Sequence, residues 1–232
     1  RAGRVMADVI ATNGPEMESL AREKVLTPFF TPHLADLPPA SVPSHRMWLP
    51  DRLTIFVVGF NTNLVKKEEL PKNLLGFTDP KWKGKLGIEA GDAEWMATIV
   101  KKWGEPGMAF FRKLSEMRPE VRKGHVLLAQ LVAAGEIPVG LTIYSSNAET
   151  LKRKGAPIDW APIDPAVARP QGIAVTRGAP HTAAAVLYAD FVVSAQDGQK
   201  LYEEMGRPPV TTKIKSHLTN FPYIVLDPVT VL

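Results

Sequence analysis

The stretch "GEIPVGLTIYSSNAETLKRKGAP", residues 135–157, decides how the rest of the chain is read. Gly135 stops a helix, and "PVGLTIY" is a short apolar run of the kind that forms a buried strand. The polar turn Tyr144-Ser145-Ser146-Asn147 then opens a basic helix, "AETLKRKG". Strand running straight into helix is half of a βα unit. In such sheets the carboxyl end of a strand is where a side chain reaches a ligand.

Working outward, the same grammar recurs. "RVMADVIAT" (4–12) has the β-branched look of a strand, and "PEMESLAREKVL" (15–26) follows with Pro in a first helical turn. "LTIFVVGFNTNLV" (53–65) is nearly all apolar, which predicts a strand buried on both faces. In "KLGIEAGDAEWMATIVKKWGE" (85–105) a short strand meets a helix opening at Asp92. Trp95, Met96, Ile99, Val100 and Trp103 recur there at helical spacing, a core face. Helices over "EPGMAFFRKLSEM" (105–117) and "HVLLAQLVAAGE" (125–136) precede the opening stretch. After it come a Pro-rich crossing (158–171), a strand at "GIAVTRG" (172–178), and one or two Ala-rich helices over 181–206. The tail is loose, with an apolar run at 223–226. Strand and helix alternate throughout, so the class is α/β with largely parallel sheets.

Bulk composition narrows the function. The 232 residues suffice for one large α/β domain or two small lobes. The net charge of +4 is scattered, without a basic stripe interleaved with aromatics, so no nucleic-acid partner is expected. The absence of cysteine removes disulfides, thiolate metal sites and cysteine nucleophiles. No apolar run approaches the ~20 residues of a membrane helix. The chain starts on Arg1 without a signal core, which reads as a mature form or a fragment. No G-x-S-x-G elbow, P-loop or G-x-G-x-x-G is present, which weakens the reading as an α/β enzyme with an unidentified cleft.

Four ordered pieces carry a family resemblance: "FTDPKWKGKLGIEAGDAEW" (77–95), "LVAAGEIPVGLTIY" (131–144), "KRKGAPIDW" (152–160) and "GIAVTRGAPHTAAAVLYADFVVSAQDGQKL" (172–201). Together they resemble bacterial periplasmic solute-binding proteins of ABC transporters, in the ferric-iron-binding-like branch. The resemblance covers residues 4 to 228 and implies a two-lobed type 2 periplasmic-binding architecture with crossing hinge strands. It places residues 1–52 and 171–206 in lobe one, 53–170 in lobe two, and leaves the lobe of the 207–232 tail open. Family members usually carry a further strand, helix and strand before "RAGRVMADVI" and often a helix after "YIVLDPV". By that comparison lobe one is incomplete. The implied function is a receptor that captures a small solute between its lobes and delivers it to an importer. That implies a periplasmic location, a membrane permease as partner, a monomer, no enzymatic chemistry and no cofactor.

Candidate ligand-binding residues follow from the strand-to-helix loops. Thr12 and Asn13 would line lobe one, Asp92, Ala93 and Glu94 the start of a lobe-two helix, and Tyr144, Ser145 and Asn147 its lip. Arg52, near a lobe crossing, has the fork to hold a carboxylate, and Gln171 sits on the second crossing as a hinge candidate. Iron binders of the family carry two adjacent tyrosines where this chain has Tyr144-Ser145, so Tyr144 alone is the candidate metal ligand. A ferric receptor with a non-classical single-tyrosine site is the alternative reading. Asp92 and Glu94 occupy a helix start that otherwise seats anions, which tilts the solute towards cations or hydroxyl-rich molecules. Asp92 also reads as a simple helix cap, and His125, first in its helix, is within reach of the cleft but reads more readily as structural.

Overall fold

The computed structural model describes residues 6–228. In chain order the elements are β1 (Val9–Asn13), α1 (Gly14–Arg22), β2 (Leu26–Thr27), β3 (Leu49–Asn61), β4 (Leu86–Glu89), α2 (Ala93–Trp103) and α3 (Glu105–Glu116). They continue with β5 (Glu120–Arg122), α4 (His125–Ala134), β6 (Val139–Tyr144), α5 (Ser145–Arg153), β7 (Ile158–Ala161), β8 (Ala166–Thr176), α6 (Thr182–Val193), α7 (Gly198–Glu204) and β9 (Tyr223–Val225). The strand expected from residue 4 starts at Val9, and Arg4 and Val5 lie outside the described residues. The chain folds into two compact units. One takes residues up to Thr54, then Arg169–Asn220 and the stretch from Asp227. The other takes Ile55–Ala168 and Phe221–Leu226. β3 and β8 each belong to both.

In the first unit, β1 and β2 pair antiparallel with the second half of β8, in the register Val9↔Val175 through Asn13↔Gln171 and Leu26↔Thr176. Alternation along β8 divides two cores. Ile173 and Val175 join Phe29, Leu49, Ala185, Ala189 and Val193 in one. Ala174 joins Met17, Ala21, Leu26 and Trp48 in the other. Met17 and Ala21 are one helical turn apart on α1, whose start is held by the Asn13 side chain accepting from the Glu16 N–H at 3.2 Å. Gly172 shares the parity of Ala174. A Cβ there would stand 2.7 Å from both Met17 Cγ and Trp48 Cε3, so the glycine lets α1 and the indole close on the strand. Gln199, fully buried on α7, donates to the Val192 carbonyl at 2.9 Å and to that of Asp51. Its Oε1 accepts from the N–H of Val210 at 2.8 Å, so one amide ties α7 to three other segments.

The second unit is built on β4, β5 and β6. β4 runs parallel to both β5 and β6. The helices α2 to α5 supply the crossovers that parallel strands require. Within α2 the buried face is Trp95, Thr98 and Ile99, while Met96, expected in the core, is exposed. The expectation of largely parallel sheets holds for this stretch and for β8 with β9. It fails for β1 and β2 on β8, and for β3 on β6 and β7, which are antiparallel. Those partners are not joined by a βαβ crossover, so the rule that forces parallel pairing does not apply to them. β7 also runs through Ile158–Ala161, where the sequence reads as the start of a loose crossing.

Overpacking a closed site costs about 1–3 kcal/mol. Gly172→Ala should therefore lower the urea-unfolding free energy by about that amount. An unchanged midpoint would show that Met17 and Trp48 yield freely.

Candidate functional site

The carboxyl ends of β4, β5 and β6 lie side by side because the strands are parallel neighbours, and α2, α4 and α5 begin just beyond them. Four side chains gather there, all in the second unit. Glu89 is the last residue of β4. Its N–H donates to Thr142 Oγ1 at 2.9 Å, and its carboxylate accepts from the N–H of Gly91 at 2.5 Å and of Gly124 at 2.8 Å. Gly124 has φ +104°, a conformation that favours glycine and brings its N–H to Glu89. Glu89 thus places a carboxylate on the N–H of Gly124, the N-cap of α4, and on that of Gly91, just ahead of the α2 N-cap.

Asp92 stands at the N-cap position of α2 but makes no capping hydrogen bond. Its Oδ1 lies 3.1 Å from His125 Nε2, and its buried Oδ2 has no hydrogen-bond partner among the described residues. His125 opens α4. Its Nδ1 lies 2.9 Å from the carbonyl oxygen of Thr142, so Nδ1 carries the proton and donates. Its Nε2 lies 3.9 Å from Glu89 Oε2. Tyr144, ending β6, stacks on the imidazole with centroids 3.6 Å apart and rings inclined by 25°. Phe56, directly opposite Tyr144 in the β3–β6 register, meets its ring edge-on at 5.2 Å. The result is a carboxylate pair and an imidazole beside an aromatic wall. Such a set attracts cations, supplies oxygen and nitrogen donors to a metal, and repels phosphate.

Of the sequence candidates, Asp92 and Tyr144 enter this cluster. Ala93 is exposed and Glu94 half-buried, both in the first turn of α2. Ser145 is fully buried at the start of α5, its hydroxyl without a hydrogen-bond partner among the described residues, and Asn147 is half-buried on the same helix. Thr12, Asn13 and Gln171 are assembled separately in the first unit. Asn13 pairs with Gln171 and Thr12 with Gly172, and the Gln171 Nε2 is buried without a partner among the described residues. Arg52 forms an ion pair with Asp51 and lies over the Tyr202 ring, 5.6 Å from its centroid. Glu89 is not among the sequence candidates, and His125, whose structural reading the sequence favours, is in the cluster that its helix-start position allows it to reach. The legible signal was the spacing E-x-x-D across a strand end, with a histidine opening the next helix but one.

Residues 5–222 match the family described as bacterial extracellular solute-binding protein. The chain belongs to that family. The Fe(3+)-binding periplasmic protein of Serratia marcescens is 29% identical over 144 residues, a match that covers 60% of this chain and 42% of that relative. The chain therefore matches less than half the length of this curated relative. Iron-bound HitA from Pseudomonas aeruginosa superposes with a TM-score of 0.79 at 20% identity, covering 99% of this chain and 80% of that one. Apo ferric ion-binding protein A of Pasteurella haemolytica gives 0.81 at 16% identity, covering 98% and 78%. AfuA of Actinobacillus pleuropneumoniae, with fructose-6-phosphate bound, gives 0.77 at 20% identity, covering 97% and 77%. These likenesses show the type 2 periplasmic-binding fold expected from the sequence. No described helix of this family member is long and apolar enough to cross a membrane.

Arg52 is engaged because Asp51 beside it is buried. Burial raises the Asp51 carboxyl above its ordinary value, outweighing the Arg52 charge and the 3.0 Å hydrogen bond from the Tyr202 hydroxyl. Burial, and then the Asp51 charge, push Tyr202 up to about 12. A raised folded-state pKa gives stability that is full below the unfolded value of about 3.9 and is lost as pH rises through the folded value. Asp51→Asn removes that dependence, so its stability relative to the parent should increase with pH from about 4 upward. Denaturant titrations across that range read the difference directly, and a flat or falling difference would contradict the assignment.

Proposed function

We propose that this chain is the solute-binding receptor of an ABC importer, working in the periplasm as a monomer. It carries a small solute to a membrane permease and performs no chemistry on it. The two compact units serve as its lobes. Family membership supports the receptor role, and relatives named for Fe(3+), iron and fructose-6-phosphate mark the range of solutes on this fold. In such a receptor, binding energy is spent on shifting the protein to the form that the transporter recognises.

One observation supports a cationic solute: Glu89, Asp92 and His125 converge where α2 and α4 begin. Helix starts ordinarily favour anions. Here the N–H groups of Gly91 and Gly124 are already directed at Glu89, and Asp92 adds a second carboxylate. A free phosphate at this point meets two negative charges. The solute therefore carries positive charge, with Tyr144 covering it. The ferric alternative draws on the same place, since Tyr144 stands beside three further donor residues.

Native mass spectrometry of the protein as purified tests this reading. A co-purified species that is cationic or a metal, and is lost in Asp92→Asn, is the expected result. Retention of a phosphate ester by both the parent and Asp92→Asn would overturn it.

A further inference from the structure

The contact between His125 and Asp92 poses a question of charge. Nδ1 of His125 donates to the Thr142 carbonyl, so in the neutral ring Nε2 presents a lone pair. That lone pair faces Asp92 Oδ1 at 3.1 Å and Glu89 Oε2 at 3.9 Å. Three acceptor atoms facing one another repel unless something positive stands among them. The candidates are a proton on Nε2 or a metal ion.

We infer that Glu89, Asp92 and His125 bind a divalent first-row transition-metal ion through one imidazole nitrogen and two carboxylates. The geometry suits an ion. The three ligand atoms lie within 4.8 Å of one another. Ligands at about 2.0–2.2 Å from zinc stand about 3.4 Å apart in a tetrahedron, so small side-chain shifts complete the set. Asp92 adds an independent sign. It is 5% exposed, yet its Oδ2 has no partner among the described residues and its carboxylate declines the capping role its position offers. A buried carboxylate oxygen without a partner is costly unless a cation neutralises it.

The surroundings match what a metal-bound histidine needs. A ligating imidazole donates its other N–H to a carbonyl or carboxylate, which fixes its tautomer, and Thr142 supplies that carbonyl. Glu89 is oriented by two backbone N–H groups, and each of its oxygens keeps a further lone pair. Two carboxylates and a neutral imidazole sum to −2, which a divalent ion cancels. The imidazole disfavours calcium and magnesium, which prefer oxygen alone. A ferric ion prefers hard anionic oxygen, above all phenolate. Three protein ligands leave positions open for water or for a chelating solute. This inference deepens the proposed function and rests on it only for the ion's role as transported solute. The binding itself concerns the second unit alone.

The test uses the 232-residue chain after dialysis against a chelator. Titration with Co2+, followed by its visible ligand-field bands, and with Zn2+ by calorimetry, should show saturable 1:1 binding. Asp92→Asn and His125→Ala should each weaken that binding at least about tenfold. His181→Ala, on a surface histidine paired with Asp8 in the other unit, should leave it unchanged. Circular dichroism and thermal unfolding of each variant separate lost binding from lost fold, and bound metal should raise the parent's Tm but not that of Asp92→Asn. No saturable binding, or equal binding by the parent and both cluster variants, would overturn the inference and place a proton on Nε2. If an organic cation co-purifies while Co2+ and Zn2+ fail to bind, the receptor reading stands and the metal inference falls.

Discussion

Thr142 is the residue on which the candidate site depends. It is fully buried in β6 and uses both of its oxygens. The hydroxyl accepts the Glu89 N–H and so docks the end of β4, beyond Gly87↔Gly140 in the β4–β6 register. The carbonyl accepts from His125 Nδ1 and so sets the ring of the residue that opens α4. One strand position thereby fixes the relation between an acid and a base that are 36 residues apart. Next along β6 but one, Tyr144 closes over the imidazole.

At Glu89 a carboxylate of the protein itself occupies a helix-start N–H, that of Gly124 at the N-cap of α4. Free N–H groups at a helix N-terminus attract negative charge. When a carboxylate from the protein takes such an N–H, part of that attraction is spent internally, and the remaining lone pairs of the carboxylate stay available to a cation. Two hydrogen bonds from glycine N–H groups hold this arrangement, and one of those glycines requires positive φ. Arg52 illustrates the converse. A cation that the sequence offered for a ligand is engaged by a buried neighbour, Asp51, and by the Tyr202 ring.

The elements were largely legible because their signals are local. The run at 53–65 reads as a doubly buried strand, and β3 is buried at most of its positions. The strand-to-helix turn at 144–147 is the junction of β6 and α5. The antiparallel partners of β3 and β8 were not legible, because pairing between distant strands leaves no mark on either one. Met96 has the spacing of a core residue, but Thr98 is buried in α2 instead, a choice made by what packs against the helix.

The sequence by itself determined the α/β class, the alternation of strand and helix, and three strand-to-helix loops with polar residues. It did so because hydrophobic period and turn chemistry are properties of neighbouring residues. It also carried the ordered pieces by which the family is recognised. Only the tertiary structure decided which residues of those loops stand together. Asp92 and Tyr144 meet each other's surroundings through His125 and Glu89, because parallel pairing of β4 with β5 and β6 aligns their carboxyl ends. Thr12, Asn13 and Gln171 belong to another unit by the register of β1 on β8. The facing of a lone pair by two carboxylates, from which the metal site is inferred, depends on distances of a few ångströms that no linear spacing encodes.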